Sequence, residues 1–205
     1  MRKIITQHCT SEQQAILDLV KDTNSAYAAK FGFEYVLDNQ IRCTDRLFYW
    51  EKIAWLLSFL PTVEDGSLVV WEDVDSLNIG NESVENALPP NGVFGMVQNR
   101  HGLGGAQLSS WYNSGIIVMI NTPAVRLFLQ NVWNAGGRDD EDGLMAVLKQ
   151  TSLTIGGIPL SSLDIKWNCW KNNAKFCADP VIKTFHGMKI EDKIAQIKIA
   201  LEAKI

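Results

Sequence analysis

The sequence has no long hydrophobic run and no strongly basic segment. No apolar stretch approaches the roughly 18 residues that cross a bilayer, so no membrane span is expected. The opening residues, Met1–Thr6, are too few for the apolar core of a secretory signal, and we therefore expect a cytoplasmic protein. The net charge is −4 and no Lys/Arg-rich run is present, which argues against nucleic acid as a partner.

The cysteines are scattered, and no internal repeat, low-complexity segment or linker is visible. The four cysteines form no CxxC pair, so neither a four-cysteine zinc site nor a disulfide scaffold is indicated. Free thiols in a reducing compartment are the simplest interpretation. With 205 residues and 46% hydrophobic content, the chain predicts a single domain over residues 1–205 with a substantial core.

The first part of the chain alternates predicted strands and helices. Residues 3–7 and 33–37 predict strands, and a helix between them begins with N-cap chemistry at Thr10 and runs to about Lys30. This order favours an α/β fold with a parallel sheet. Ligands of such sheets bind at the carboxyl ends of the strands.

Three polar residues lie at the carboxyl end of the first predicted strand. Thr6, Gln7 and His8 are therefore candidates for contacts to a base or a ribose. For the His8 side chain itself, an ordinary solvated loop histidine is the simpler interpretation.

A short apolar run ends abruptly at three carboxylates. Leu68–Trp71 predicts a buried strand, and Asp73 and Asp75 follow it, separated by one residue. Alternation along an extended chain would place their side chains on the same side, where two like charges favour a cation between them. Carboxylate oxygens suit Mg²⁺ or Mn²⁺, and such an ion suggests a phosphate-bearing ligand. A solvated acidic turn is the competing interpretation.

Two further charged features flank this stretch. The segment 47–60 predicts a largely buried helix ending near Pro61, and Lys52 within it is either a phosphate contact or a lysine that extends its amine to solvent. The acidic cluster Arg138–Asp142 opens a helix that runs to about Gln150. Acidic residues at a helix N-terminus account for one or two of these carboxylates, but less well for four in a row.

The second half predicts three strands, a loop and a terminal helix. The strands span 93–98, 116–120 and 181–185, the second being central to the sheet. The glycine-containing segment 99–110 predicts a mobile loop that acts as a lid or as an acceptor wall. Residues 189–205 predict an amphipathic helix packed on the body or on a partner.

The order and spacing of six short segments resemble a GT-A glycosyltransferase that uses nucleotide sugars. The segments are YAAKFGFEYV, WEKIAWLLSFLP, LVVWEDVDSL, WYNSGIIVMI, DDEDGLMAVL and FHGMK. They are most similar to the metal-dependent retaining families, which include fungal and plant galactosyl-, mannosyl- and xylosyltransferases. The compact length also resembles a glycosyltransferase domain of chlorovirus capsid-modifying enzymes.

The resemblance implies a fold, a reaction and a set of residue roles. It implies a mixed, mostly parallel sheet flanked by helices, and transfer of a sugar from a nucleotide sugar, expected to be a UDP-sugar, to a glycan or glycoprotein acceptor with retention. Asp73, Asp75 and His186 would hold Mn²⁺ or Mg²⁺ on the diphosphate. Donor contacts are implied for Lys52, Asp73, Asn113, Gly115, Gly187 and Lys189. Asp140 or Glu141 would lie near the anomeric carbon.

The sequence departs from the family pattern at two places. Trp71-Glu72 stands directly before the two aspartates, so Glu72 is a further candidate for nucleotide or metal contacts. Gly187 follows His186 without the usual intervening residue, which puts the role of Lys189 in question. Two other functions stay open: a haloacid-dehalogenase-type phosphatase, which also uses two aspartates at a strand end, and a non-catalytic sugar- or nucleotide-binding module.

Overall fold

The computed structural model describes residues 1–101, 107–170 and 174–203. The strands are β1 Lys3–His8, β2 Glu34–Asp38, β3 Leu68–Glu72, β4 Ser76–Asn78, β5 Phe94–His101, β6 Gln107–Ile120, β7 Thr154–Ile155, β8 Ile158–Pro159, β9 Ser161–Leu163 and β10 Ile182–Thr184. The α-helices are α1 Gln14–Lys30, α2 Glu51–Phe59, α3 Pro123–Ala135, α4 Asp140–Gln150 and α5 Ile190–Glu202.

The main sheet has six strands in the order β2-β1-β3-β6-β5-β9. Strand β1 pairs in parallel with β2 and β3, and β5 pairs in parallel with β9. Strand β6 is antiparallel to both of its neighbours, so five strands point one way and one points the other. The predicted α/β class, with a mostly parallel sheet flanked by helices, is confirmed.

Strand β3 is buried on both faces, which explains its continuous apolar sequence. Val69 and Trp71 belong to the core cluster on the side of α2 and α3, whereas Leu68 and Val70 belong to the cluster that includes Tyr27 of α1. Alternation along the strand thus supplies both halves of the core. The carboxyl end of β3 is thereby fixed between two packed layers.

The helix boundaries follow the capping residues in the sequence. Thr10 and Gln13 form a capping box before α1, and Gly32, with φ +71°, follows the end of that helix. The side chains of Thr122 and Asp139 accept backbone N–H groups at the starts of α3 and α4. Asp139 therefore caps α4, and the helix proper begins at Asp140.

The helix predicted over 47–60 is shorter than expected. Residues Phe48–Trp50 form a 3-10 turn, α2 spans Glu51–Phe59, and Pro61 lies inside a second 3-10 turn. A single turn has only one side that faces the core, and Trp50 is the residue on that side. The prediction that residues 47–49 are buried is wrong, because all three side chains are about half exposed.

Three other boundaries differ from expectation. Strand β5 reaches His101 and β6 begins at Gln107, so strand replaces both ends of the loop predicted over 99–110. Its glycines at 102, 104 and 105 lie outside the described residues. The last predicted strand is the short β10, which pairs with the unpredicted β4 and not with the main sheet. None of the helices in the described ranges has the length and apolar character needed to span a bilayer.

Candidate active site

A cavity of about 690 Å³ opens at the carboxyl ends of β1 and β3, beside β6 and the N-terminus of α4. This is the edge at which parallel strands of α/β proteins place their ligands. The predicted site residues that line it are His8, Lys52, Asp73, Asp75, Asn113, Asp140, Glu141, His186 and Gly187.

The two aspartates lie on a turn and not on an extended strand. Strand β3 ends at Glu72, and the backbone N–H of Ser76 donates to the carbonyl of Asp73 at 2.9 Å. The backbone N–H of Asp73 donates to the carbonyl of Gly115 at 2.8 Å, which anchors the turn to β6. The alternation argument for Asp73 and Asp75 was therefore wrong in its geometry, although the turn still brings their carboxylates together.

Asp73, Asp75 and His186 form a cluster that suits a divalent cation. Each offers one ligand atom, and these atoms lie within 4.8 Å of one another. Oδ1 of Asp75 is buried, has no hydrogen-bond partner and lies 3.7 Å from Nδ1 of His186. Two carboxylate oxygens and an imidazole nitrogen fit Mn²⁺ or Mg²⁺. The unpartnered buried oxygen is the observation that a bound cation would explain.

His186 reaches the cluster through β10. Thr184 pairs with Ser76 across the β10–β4 sheet, which carries the following residues alongside Asp75. Oγ1 of Thr184 lies 3.1 Å from Nε2 of His186, which leaves Nδ1 towards Asp75. A Cβ atom on Gly115 would lie 2.5 Å from Cε1 of His186, so only glycine leaves room for the ring.

The two aspartates differ in their electrostatic surroundings. Burial raises the pKa of Asp75, but His186 and Lys193 outweigh it and lower the value to about 2. Burial raises the pKa of Asp73; the attraction of Lys52 only partly offsets this, and the neighbouring Asp75 adds to it. One member of the pair is thus firmly ionised, as a metal ligand must be.

Lys52 is buried among carboxylates and does not extend to solvent. Its Nζ donates to the carbonyl and Oγ of Ser114 at 2.9 and 2.8 Å, and lies 3.1 Å from both Asp140 and Asp73. Burial lowers the pKa of Lys52, but Asp140 and Asp73 outweigh it, and the net pKa is raised. Lys52 is therefore a charged link between the metal cluster and the N-terminus of α4.

Glu141 is held by three N–H donors of β6. Oε1 accepts from Nδ2 of Asn113 at 3.2 Å and from the backbone of Ser114 at 3.1 Å, and Oε2 accepts from Nε1 of Trp111 at 3.0 Å. Burial raises the pKa of Glu141, and these donors offset the rise in part. Oδ1 of Asn113 accepts from Nδ2 of Asn168 at 2.6 Å, which fixes the orientation of the amide. Two acidic side chains, Asp140 and Glu141, thus line the same wall of the cavity.

His8 lies at the other end of the cavity, in a buried chain of charges. Its Nδ1 is 2.7 Å from Oδ2 of Asp38, and Arg42 donates to both oxygens of Asp38 at 2.5 and 2.9 Å. Burial raises the pKa of Asp38, but these hydrogen bonds from Arg42 and His8 outweigh it and leave the pKa below its usual value. Nε2 of His8 is buried and has no hydrogen-bond partner. The side chain is 6% exposed, so it is not a solvated loop histidine.

Four predicted residues face the interior and do not line the cavity. Thr6, Gln7 and Glu72 are fully buried, and Gly115 is buried in β6. Thr6 accepts a hydrogen bond from Trp55, and Gln7 donates to the carbonyl of Asp73. Glu72 accepts from Nδ2 of Asn78 at 2.8 Å, and burial raises its pKa to about 7. The structure therefore gives them supporting positions behind the site and not the direct contacts to the nucleotide sugar that we predicted.

Lys189, the lysine of the FHGMK motif, also lies outside the cavity. Lys189 is exposed, precedes the first turn of α5 and does not line the cavity. Lys193, four residues further on, lines it and donates to Oδ2 of Asp75 at 2.5 Å. Of the residues that we did not predict, Lys193, Asp38, Arg42, Ser114 and Trp111 have direct roles in these contacts. Ser114 and Trp111 lie inside the WYNSGIIVMI motif, which could have indicated them.

Among the comparisons with known proteins, only the one with solved structures finds matches. The sequence matches no family model, and no curated protein matches it. Among solved structures, a glycosyltransferase involved in glycosylation of the major capsid of PBCV-1 aligns with a TM-score of 0.71 and 13% identity, over 97% of this chain and 100% of that one. The galactosyltransferase LgtC, solved with donor and acceptor sugar analogues, aligns with a TM-score of 0.56 and 12% identity over 98% and 100%.

A mouse xyloside xylosyltransferase 1 is similar to the same extent, with a TM-score of 0.53 and 12% identity over 91% of this chain and 98% of that one. The fold also separates the chain from the phosphatase alternative, since Asp139 and Asp140 open helix α4 and do not end a strand. The chain therefore has the GT-A fold of glycosyltransferases.

Proposed function

We propose that the chain is a divalent-metal-dependent glycosyltransferase. It moves a sugar from a UDP-sugar to a glycan or glycoprotein acceptor. The observation that carries the proposal is the cluster of Asp73, Asp75 and His186, with its unpartnered buried oxygen, at the strand end of a GT-A fold. The metal, the donor and the acceptor class are parts of this proposal.

The diphosphate of the donor is assigned to the metal cluster and Lys193. A Mn²⁺ or Mg²⁺ ion held there would neutralise the negative charge that develops on the leaving diphosphate. Lys193 already lies against Asp75, so its amine is within reach of an anion bound at the cluster. When the bond between the anomeric carbon and the diphosphate oxygen breaks, its electron pair stays on that oxygen.

The base is assigned to His8. His8 lines the cavity at the carboxyl end of β1, and its contact with Asp38 holds the ring in place. The resemblance adds the expectation that the base is uracil.

The sugar is assigned to the wall formed by Asn113, Asp140 and Glu141. A carboxylate beside the anomeric carbon stabilises the positive charge that develops there as the leaving group departs. Lys52 holds Asp140 in place, and three N–H groups hold Glu141, so both carboxylates are preorganised. The acceptor oxygen forms the new bond to the anomeric carbon, and its proton passes to the departing diphosphate. Retention of configuration is an expectation from the resemblance.

The test is incubation with a panel of UDP-sugars, Mn²⁺ and candidate acceptors. We expect UDP release and transfer with at least one donor, and loss of both when EDTA is present. NMR of the product linkage checks retention. UDP binding without release or transfer would instead identify a non-catalytic module, and hydrolysis of a generic aryl phosphate would identify a phosphatase.

A further inference from the structure

Two adjacent aromatic side chains stand exposed at the rim of the active-site cavity. Phe48 and Tyr49 are 54% and 48% exposed, and their ring centroids are 4.0 Å apart at 33°. Both rings line the cavity. Exposed apolar side chains that border a cavity commonly mark a ligand surface. We call this pair the aromatic platform.

The platform lines the same cavity as Asp140 and Glu141, the carboxylates assigned to the sugar. It immediately precedes α2, whose Lys52 contacts Asp140 at the start of α4. The start of α2 thus connects the platform to the N-terminus of α4.

A second depression continues from this rim. It has a volume of about 520 Å³ and is lined by residues 44–47, Trp50, Gly137 and Arg138. Leu47 and Arg138 line this depression, whereas their neighbours Phe48 and Asp139 line the active-site cavity. The two cavities therefore share one rim, and the aromatic platform is part of it.

We propose that the aromatic platform binds the acceptor glycan. One face of a pyranose ring presents C–H bonds, which pack on aromatic rings, while its hydroxyl groups point outwards to polar partners. Arg138 and Asp139 supply such partners at the same rim, and the second depression takes the remainder of the acceptor. This assignment rests on the proposed function, because it takes the acceptor hydroxyl to approach the wall of Asp140 and Glu141.

The test compares acceptor and donor binding in one double variant. The probes are a panel of p-nitrophenyl glycosides, titrated by saturation-transfer NMR onto the full chain saturated with UDP and Mn²⁺. In Phe48→Ala/Tyr49→Ala we expect glycoside affinity to fall by about tenfold or more, with UDP affinity within about twofold of the wild type. Leu127→Ala is the control, since it removes an exposed apolar side chain of α3 that does not line either cavity.

The outcomes separate this assignment from the proposed function. If the wild type binds UDP with Mn²⁺ but the double variant keeps its glycoside affinity, the platform assignment alone is overturned. The platform assignment is also overturned if no glycoside binds the wild-type complex. It is overturned as well if the double variant loses UDP affinity as much as glycoside affinity, which would assign the pair to the nucleotide. Absence of Mn²⁺-dependent UDP binding in the wild type overturns both. Phe48→Leu/Tyr49→Leu, which keeps the bulk and removes the rings, replaces the alanine variant if that variant does not fold.

Discussion

The carboxyl group of Glu72, the last residue of β3, is buried beside β4. Among the described residues, no cation forms an ion pair with it. One of its oxygens accepts from Asn78, and Oε1 has no hydrogen-bond partner. Burial therefore favours the protonated form and raises the pKa to about 7. Because the folded state holds this proton more tightly than the unfolded chain, Glu72 makes the fold less stable as pH rises from the ordinary carboxyl range to about 7.

Glu72→Gln should remove this pH dependence. Each pKa unit corresponds to about 1.4 kcal/mol, so the wild type should lose on the order of 2 kcal/mol relative to the variant between pH 5 and pH 8. Urea unfolding at both pH values, in EDTA, measures the difference. If the stability of the two proteins depends on pH in the same way, Glu72 is ionised in the folded state. If the variant loses UDP affinity, Glu72 is a nucleotide contact, as we first predicted.

Single residues were predictable where their chemistry was distinctive. The like-charged pair Asp73 and Asp75 indicated a cation, and the resemblance added His186 to the same site. Thr6 and Gln7 lie at the strand end that we predicted, but their side chains face the interior and not the cavity. Strand β1 is buried on both faces, so its sequence has no polar alternation that could show which side chains face the cavity.

At the scale of elements, helix α5 decides which lysine enters the site. Ile197 and Ala200 pack in a cluster with Ile16 and Val20 of α1. This contact fixes the rotation of α5 about its axis and turns Lys193 towards Asp75. The amphipathic helix was predicted, but its packing partner, and hence the side that Lys193 faces, depends on residues far away in the sequence.

Lys193→Met and Lys189→Met form a matched pair of variants. We expect Lys193→Met to weaken Mn²⁺-dependent UDP binding by about tenfold, since it removes a partly buried charge beside the diphosphate site. Lys189→Met should stay within about twofold of the wild type because Lys189 is exposed and does not line the cavity. Isothermal titration calorimetry measures both affinities. A larger loss of UDP affinity in Lys189→Met than in Lys193→Met would assign the diphosphate contact to Lys189.

The elements that were missed are short or atypical. Strand β4 has three residues and is stabilised by pairing with β10. Its own sequence therefore carries too little pattern to identify it. The residues Leu47–Tyr49 are apolar, and the pattern placed them in a buried helix, whereas the structure exposes them at the rim of the cavity. The sequence pattern and the burial therefore disagree at the aromatic platform.

At the scale of the whole molecule, the site depends on contacts between distant parts of the chain. Asp73 and Asp75 lie on the turn that follows a central strand, whereas His186 follows a strand near the end of the described chain. The α/β class was predictable because strands and helices alternate in the sequence. The reversed direction of β6 and the pairing of β10 with β4 were not, because local sequence does not specify long-range pairing.

The central claim is that this long-range cluster binds a divalent cation and through it a nucleoside diphosphate. Isothermal titration of UDP into the wild-type chain and into Asp75→Ala, each with Mn²⁺ and with EDTA, tests it most directly. We predict that Mn²⁺ strengthens UDP binding to the wild type by about tenfold or more and that this increment is absent in Asp75→Ala, with circular dichroism showing that the variant is folded. An equal Mn²⁺-dependent increment in both proteins would contradict the account.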